Sequence, residues 1–197
     1  MAPSRGLLIV ISGPGGVGKD TLIERLRQRN PALRYSVSFT TRPKRRYEVE
    51  GLHYSFVDVR TFEQLVADGE FLEHAVVNGH RYGTSEVRVE ELQRAGHDVI
   101  LKIDVQGADQ VRERRPDGVY VFVAPPSMDE LVRRRTLRGA ESQREIEERQ
   151  RLAEWELSFA QRYDHIVVND DLERAVREVE GILEHERERR RVPAGKR

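Results

Sequence analysis

One segment near the start limits what this chain can become. Residues 7–12 read LLIVIS, GPGGVGKDT follows at 13–21, and LIERLRQR continues in helical period. Strand, glycine-rich loop and helix, in that order, give a G-x-x-x-x-G-K match the context of a phosphate cradle. Gly13, Gly15, Gly16 and Gly18 allow the tight turn and let backbone N–H groups point inward, with Pro14 and Val17 completing the loop. Lys19 can reach the β- and γ-phosphates of a nucleoside triphosphate, and the helix behind it adds its positive pole. The next position ordinarily holds Ser or Thr, whose hydroxyl ligates Mg²⁺. Here it is Asp20, followed by Thr21, so Asp20 is the candidate metal ligand.

The rest of the chain alternates strands and helices, which predicts an α/β fold with a mostly parallel sheet. Apolar runs predict strands at 7–12, 35–39, 99–104, 118–123 and 165–168. Helical spacing predicts helices at 20–29, 61–68, 85–95, 107–114, 127–137, 142–162 and 170–190. Asn30-Pro31 stops the first helix and Pro125-Pro126 separates a strand from the next one. The length of 197 residues suits one domain with a sizeable core. Lys+Arg and Asp+Glu are both 34, so no global field draws in nucleic acid or a membrane surface. Cysteine is absent, which excludes disulfides and thiolate metal sites and fits a reducing compartment. The N-terminal apolar run is too short to span a bilayer, and a cytoplasmic location is expected.

Two segments interrupt the sheet pattern and carry arginines. SVSFTTRPKRRYEVEGLHYSFVD at 36–58 leads on to FLEHAVVNGHRYGTS at 71–85, with arginines and hydroxyls suited to gripping a phosphate. LVRRRTLRGAESQREIEERQRL at 131–152 is either a solvated helix laced with i,i+4 pairs or a lid closing on a transferring phosphoryl group. The basic end, 186–197, reads as a fraying helix end and a disordered tail. The six histidines show no metal-ligand spacing.

Taken together, the loop, SFTTR with a second arginine three residues on, HY at 53–54, FLEHA, RYGTS, IDVQGA, VAPPS and IVVNDDLERA resemble the guanylate kinases. The resemblance runs over residues 5–185. It implies a three-layer P-loop kinase fold with a central parallel five-stranded sheet, a small mixed monophosphate-binding subdomain and a helical lid. The implied divisions are a core (5–35, 83–124 and 157–185), a GMP-binding subdomain (36–82) and a lid (125–156). It also implies direct in-line transfer from ATP to GMP or dGMP with Mg²⁺, by a monomer or homodimer. By the same resemblance Ser38, Arg42, Arg45, Tyr54 and Tyr82 hold the GMP phosphate. Glu73, Thr84 and Asp104 read guanine, which presents adjacent N1–H and N2–H₂ donors that suit a carboxylate. Arg134, Arg138 and Arg149 touch the ATP phosphates beside Lys19, and Asn169 lies near the adenine of ATP.

Several positions depart from the family pattern. Asp20 is one; Lys102 stands where an acid is expected, two residues before Asp104 in LKID; Tyr47 and Leu137 replace expected glycines. One acid is thus lost from the strand and one gained in the loop. Lys102 and Asp104 are expected to share a strand face toward the loop, and Asp20 to ligate the metal, pair with Lys102, or both. An unpaired carboxylate about 4 Å from a phosphate oxygen would cost roughly 4 kcal/mol at an effective dielectric near 20, so some such partner is required. Two other readings stay open: a kinase of another phosphorylated acceptor such as a ribose bisphosphate, and a non-catalytic binding module of the same fold.

Overall fold

The computed structural model describes residues 5–136 and 143–191. Its strands are β1 (Leu8–Ser12), β2 (Arg34–Tyr35), β3 (Phe39–Thr40), β4 (Ser55–Phe56), β5 (Phe71–Val77), β6 (His80–Ser85), β7 (Val99–Lys102), β8 (Val119–Ala124) and β9 (His165–Val168). Its helices are α1 (Lys19–Arg29), α2 (Val59–Ala67), α3 (Glu86–Arg94), α4 (Val105–Arg114), α5 (Met128–Thr136), α6 (Gln143–Ser158) and α7 (Leu172–Arg191), with a 3-10 turn at Ala160–Arg162. A parallel sheet runs in the order β2-β7-β1-β8-β9 and a mixed sheet in the order β4-β3-β6-β5. Every residue of β1 is buried, as expected of a strand covered on both faces, whose sequence is a continuous apolar run rather than an alternation.

The chain divides into two compact units, Met1–Val10 with Ala32–Gly118 and Ile11–Pro31 with Val119–Arg197. The first is built on Leu7, Leu33, Phe62, Phe71, Leu72, Val99, Ile100, Leu101, Val105 and Val111, all buried. Its helices begin on side-chain caps. Asp58 accepts from Thr61 N at 2.6 Å to start α2, and Asp104 from Gly107 N at 2.8 Å to start α4. In the second unit Leu22, Ile23 and Leu26 of α1 and Ala175, Val176 and Val179 of α7 are buried. The α1 N-cap is Gly18, which has no side chain to cap the helix.

All five strands of the parallel sheet match the expected ones, with two corrections. The run 35–39 is two strands, because Ser36 N still bonds to Ile100 O (3.0 Å) while the Ser38 carbonyl already accepts from Ser55 N (2.9 Å) in the other sheet. The run 99–104 stops at Lys102, because Asp104 leaves the strand to cap α4. The β5–β6 hairpin was not among the expected strands. Its two-residue turn is Asn78-Gly79, both at positive φ (51° and 76°), the backbone of a type I′ turn. At the other end, α7 continues to Arg191 with Glu186 buried, so the expected tail begins as helix; residues 192–197 lie outside the described residues.

Candidate active site

In the second unit, β1 delivers the chain into the glycine-rich loop. Gly13 has φ 138°, and a Cβ there would stand 2.2 Å from Val123 O, so backbone angle and space both require glycine. Gly18 has φ 101°, and a Cβ would meet Asn169 Nδ2 at 2.5 Å. Asn169 is buried and donates that amide to Val17 O at 2.8 Å, which buttresses the far side of the loop. Its own carbonyl accepts from Arg134 Nη1 at 2.9 Å. Arg134 Nε also donates to Glu130 at 2.7 Å. Arg133 and then Arg134 hold the Glu130 carboxyl down to about 2. Lys19 Nζ folds back onto its own loop, donating to Gly13 O and to Pro14 O (3.1 Å). Gly15 N makes a long contact of 3.4 Å with the Glu156 carboxylate. Asp20 and Thr21 are exposed in the first turn of α1, and Arg149 is exposed on α6.

The first unit holds two linked clusters. Around β3, β4 and β6, Arg42 donates to Glu48 Oε1 at 2.6 Å and its guanidinium lies 5.5 Å from the Tyr54 ring centroid. Tyr54 meets Tyr82 edge-on at 5.9 Å. Glu48 is buried and its second oxygen accepts from Arg45 N at 2.7 Å. Burial works to raise the Glu48 carboxyl, but the bonds from Arg42 and Arg45 outweigh it and leave it below the usual range. The same ion pair raises Arg42. Arg45 Nη1 donates to Tyr47 Oη at 2.9 Å, and Ser38 is buried beside β4. Lys102 Nζ lies 5.7 Å from the Tyr54 ring centroid.

The second cluster centres on Glu73 of β5, which is only 4% exposed. Thr84 Oγ1, fully buried on β6, donates to Glu73 Oε1 at 2.5 Å. Burial pushes the Glu73 carboxyl up to about 7; Thr84 opposes the shift and the negative charge of Asp104 adds to it. A buried acceptor beside a second carboxylate suits a ligand that presents hydrogen-bond donors.

A family model described as guanylate kinase matches residues 5–186. The chain belongs to the guanylate kinase family. It is 45% identical to the guanylate kinase of Carboxydothermus hydrogenoformans, over 93% of this chain and 90% of that one. It is 49% identical to that of Symbiobacterium thermophilum, over 94% and 88%. The crystal structure of guanylate kinase from Anaplasma phagocytophilum superposes with a TM-score of 0.78 at 35% identity, covering 94% of this chain and 88% of that one. The chain is thus an enzyme of the nucleoside monophosphate kinase type.

Against that family pattern the structure groups Glu73, Thr84 and Asp104 in one cluster and Arg42, Tyr54 and Tyr82 in another. In the second unit it groups Lys19, Asn169 and Arg134 about the loop. Arg138 and the departure at Leu137 lie outside the described residues. The expectation that Lys102 and Asp104 share a strand face is corrected. Lys102 is the last residue of β7, toward Tyr54, and Asp104 is a helix cap. Sequence reasoning missed Glu48, Gln110 and Arg114. Glu48 did leave a signal: an acid inside RPKRRYEVEG, amid four cations, needs a partner once buried.

Proposed function

We propose that Glu73, Thr84 and Asp104 read the base of GMP and that the loop at 13–21 holds ATP, so that the chain phosphorylates GMP or dGMP to the diphosphate. The observation that carries this reading is the buried Glu73–Thr84 pair beside Asp104. Guanine N1–H and N2–H₂ would donate into it, whereas adenine would set its N1 lone pair against a carboxylate and leave that group unpaired. A kinase of a ribose bisphosphate would have no use for such a pair.

Arg42, Arg45, Tyr54, Tyr82 and Ser38 take the GMP phosphate. Glu48 already holds the Arg42 guanidinium and the Arg45 backbone N–H, so the geometry of the Arg42 side chain precedes the ligand. Lys19 leaves the carbonyls of Gly13 and Pro14 for the β- and γ-phosphates of ATP. Arg134, Arg138 and Arg149, on the segment 125–156 that acts as lid, neutralise the transferring group and exclude water, and Asn169 supports the loop near the adenine. No covalent intermediate is required: the chain's work is alignment of a GMP phosphate oxygen in line with the γ-phosphoryl, and electrostatic stabilisation. Asp20 offers one hard oxygen donor of the kind Mg²⁺ takes alongside phosphate oxygens and water. Bound there, Mg²⁺ would neutralise phosphate charge, and it would offset the repulsion between Asp20 and the triphosphate. Among the described residues no helix is long and apolar enough to cross a membrane. Nucleotide substrates fit a cytoplasmic enzyme of purine nucleotide metabolism.

The test is coupled ADP release from purified protein with ATP and Mg²⁺, offering GMP, dGMP, AMP, CMP and UMP separately. Turnover confined to GMP and dGMP supports the reading. Turnover with AMP, or silence with all five, overturns it.

A further inference from the structure

Glu73 is held from one side by Thr84, but most of what fixes its place comes from one face of α4. Residues 107, 110 and 114 fall on a single stripe of that helix, at i, i+3 and i+7. Each meets β5 at a different point. Arg114 Nη1 donates to Phe71 O at 2.8 Å and to Leu72 O at 3.1 Å. Those carbonyls sit where the β5–β6 register shifts between Phe71 and Glu73, and bulges of that kind re-aim the side chain that follows. Gln110 holds His74 at both of its backbone polar groups, accepting from His74 N at 3.1 Å and donating to His74 O at 2.9 Å. Gly107 meets the carboxylate itself. A Cβ there would lie 2.5 Å from Glu73 Oε2 and 3.1 Å from Glu73 Cδ. Gly107 N also donates to Asp104 Oδ1 at 2.8 Å.

The glycine is not needed by its own helix. Its backbone is not among those at positive φ, and alanine is the better helix former, so what Gly107 supplies is space. That space is filled by a carboxylate with little room to retreat, since Glu73 is 4% exposed and bonded to Thr84. One residue therefore sets both acids: its missing side chain admits Glu73, and its N–H fixes Asp104.

We propose that the α4 stripe Gly107–Gln110–Arg114 positions Glu73, and that Gly107 is a determinant of base selectivity. The proposal rests on the reading of Glu73 as the guanine acceptor. The experiment is steady-state kinetics with GMP and AMP on wild type, Gly107→Ala, Gly107→Ala with Glu73→Asp, and Glu73→Gln. A displaced acceptor leaves the donors of the base poorly paired, a loss of roughly 10- to 100-fold in binding, so Gly107→Ala should raise the GMP KM at least about tenfold. Its kcat and ATP KM should stay within about threefold of wild type, and the shorter acid in the double variant should recover part of the loss. A GMP KM within about twofold of wild type overturns the proposal. So does a joint fall of kcat, both affinities and thermal midpoint without recovery in the double variant. If Gly107→Ala does not fold, Gln110→Ala is judged by the same KM-against-kcat split. Should Glu73→Gln keep the wild-type preference for GMP over AMP, the guanine reading fails and this proposal with it. If Glu73→Gln loses that preference and Gly107→Ala does not, only the positioning role fails.

Discussion

The loop at 13–21 and the pocket around Glu73 are held in different ways. In the loop the working cation, Lys19, donates to carbonyls of the same loop, and the buttress comes from one buried amide, Asn169. In the pocket the working anion, Glu73, is buried, hydrogen-bonded to Thr84 and backed by a helix face. On the proposed reading Lys19 must leave those carbonyls to reach a phosphate. Glu73, by contrast, is already bonded to Thr84 and buried. The proposed reading gives transfer to the loop and recognition to the pocket, and it expects each to be breakable without the other.

The largest expected effect is on the loop side. Lys19→Ala should lower kcat by about 10³-fold, as loss of one transition-state donor does, while calorimetry finds GMP affinity unchanged. A parallel loss of GMP affinity would show that the two regions are not separable. The next effect belongs to the pocket. Glu73 has a folded value of about 7 against an ordinary 4.5, so the stability it contributes is present below about pH 4.5 and lost as pH rises through about 7. The loss is on the order of 3 kcal/mol, and thermal unfolding of the ligand-free protein should show it in wild type and not in Glu73→Gln. On the proposed reading the guanine donors need the ionised acid, so GMP affinity should fall as pH drops below about 7; affinity that is flat from pH 8 to 6 would contradict this. Smaller is the change at Glu48. Glu48→Gln weakens the clamp on Arg42 and should raise the GMP KM about tenfold, with the ATP KM unmoved. A lower KM would mean that Glu48 competes with the phosphate instead of preparing its site. The smallest is Asp20→Ser, expected to reduce kcat by about threefold through loss of one metal-ligating oxygen. Unchanged or raised activity would dismiss Asp20 as a replacement for the usual hydroxyl.

The two regions also differed in how legible they were. The loop is local: one strand, one turn and one helix contiguous in sequence, so its residues could be assigned from residues 7–29 alone. The pocket is assembled from β5, β6 and α4, and its hairpin escaped notice although Asn78-Gly79 marked the turn. The alternation of β5 is broken by the register shift at Phe71–Glu73, which hid it as a strand. Glu73, Thr84 and Asp104 could be named from the family resemblance, but not that Thr84 donates to Glu73 or that Asp104 is a cap. Gln110 and Arg114 were invisible because their partners are backbone atoms of a distant strand, which no side-chain pattern announces.

The most direct measurement is kcat/KM for GMP and AMP, at pH 8, in wild type and Glu73→Gln. The account predicts a fall of about 100-fold for GMP in the variant, with the ATP KM unchanged and the preference for GMP over AMP collapsing. A variant that retains the wild-type preference would contradict the claim that this buried acid reads the base.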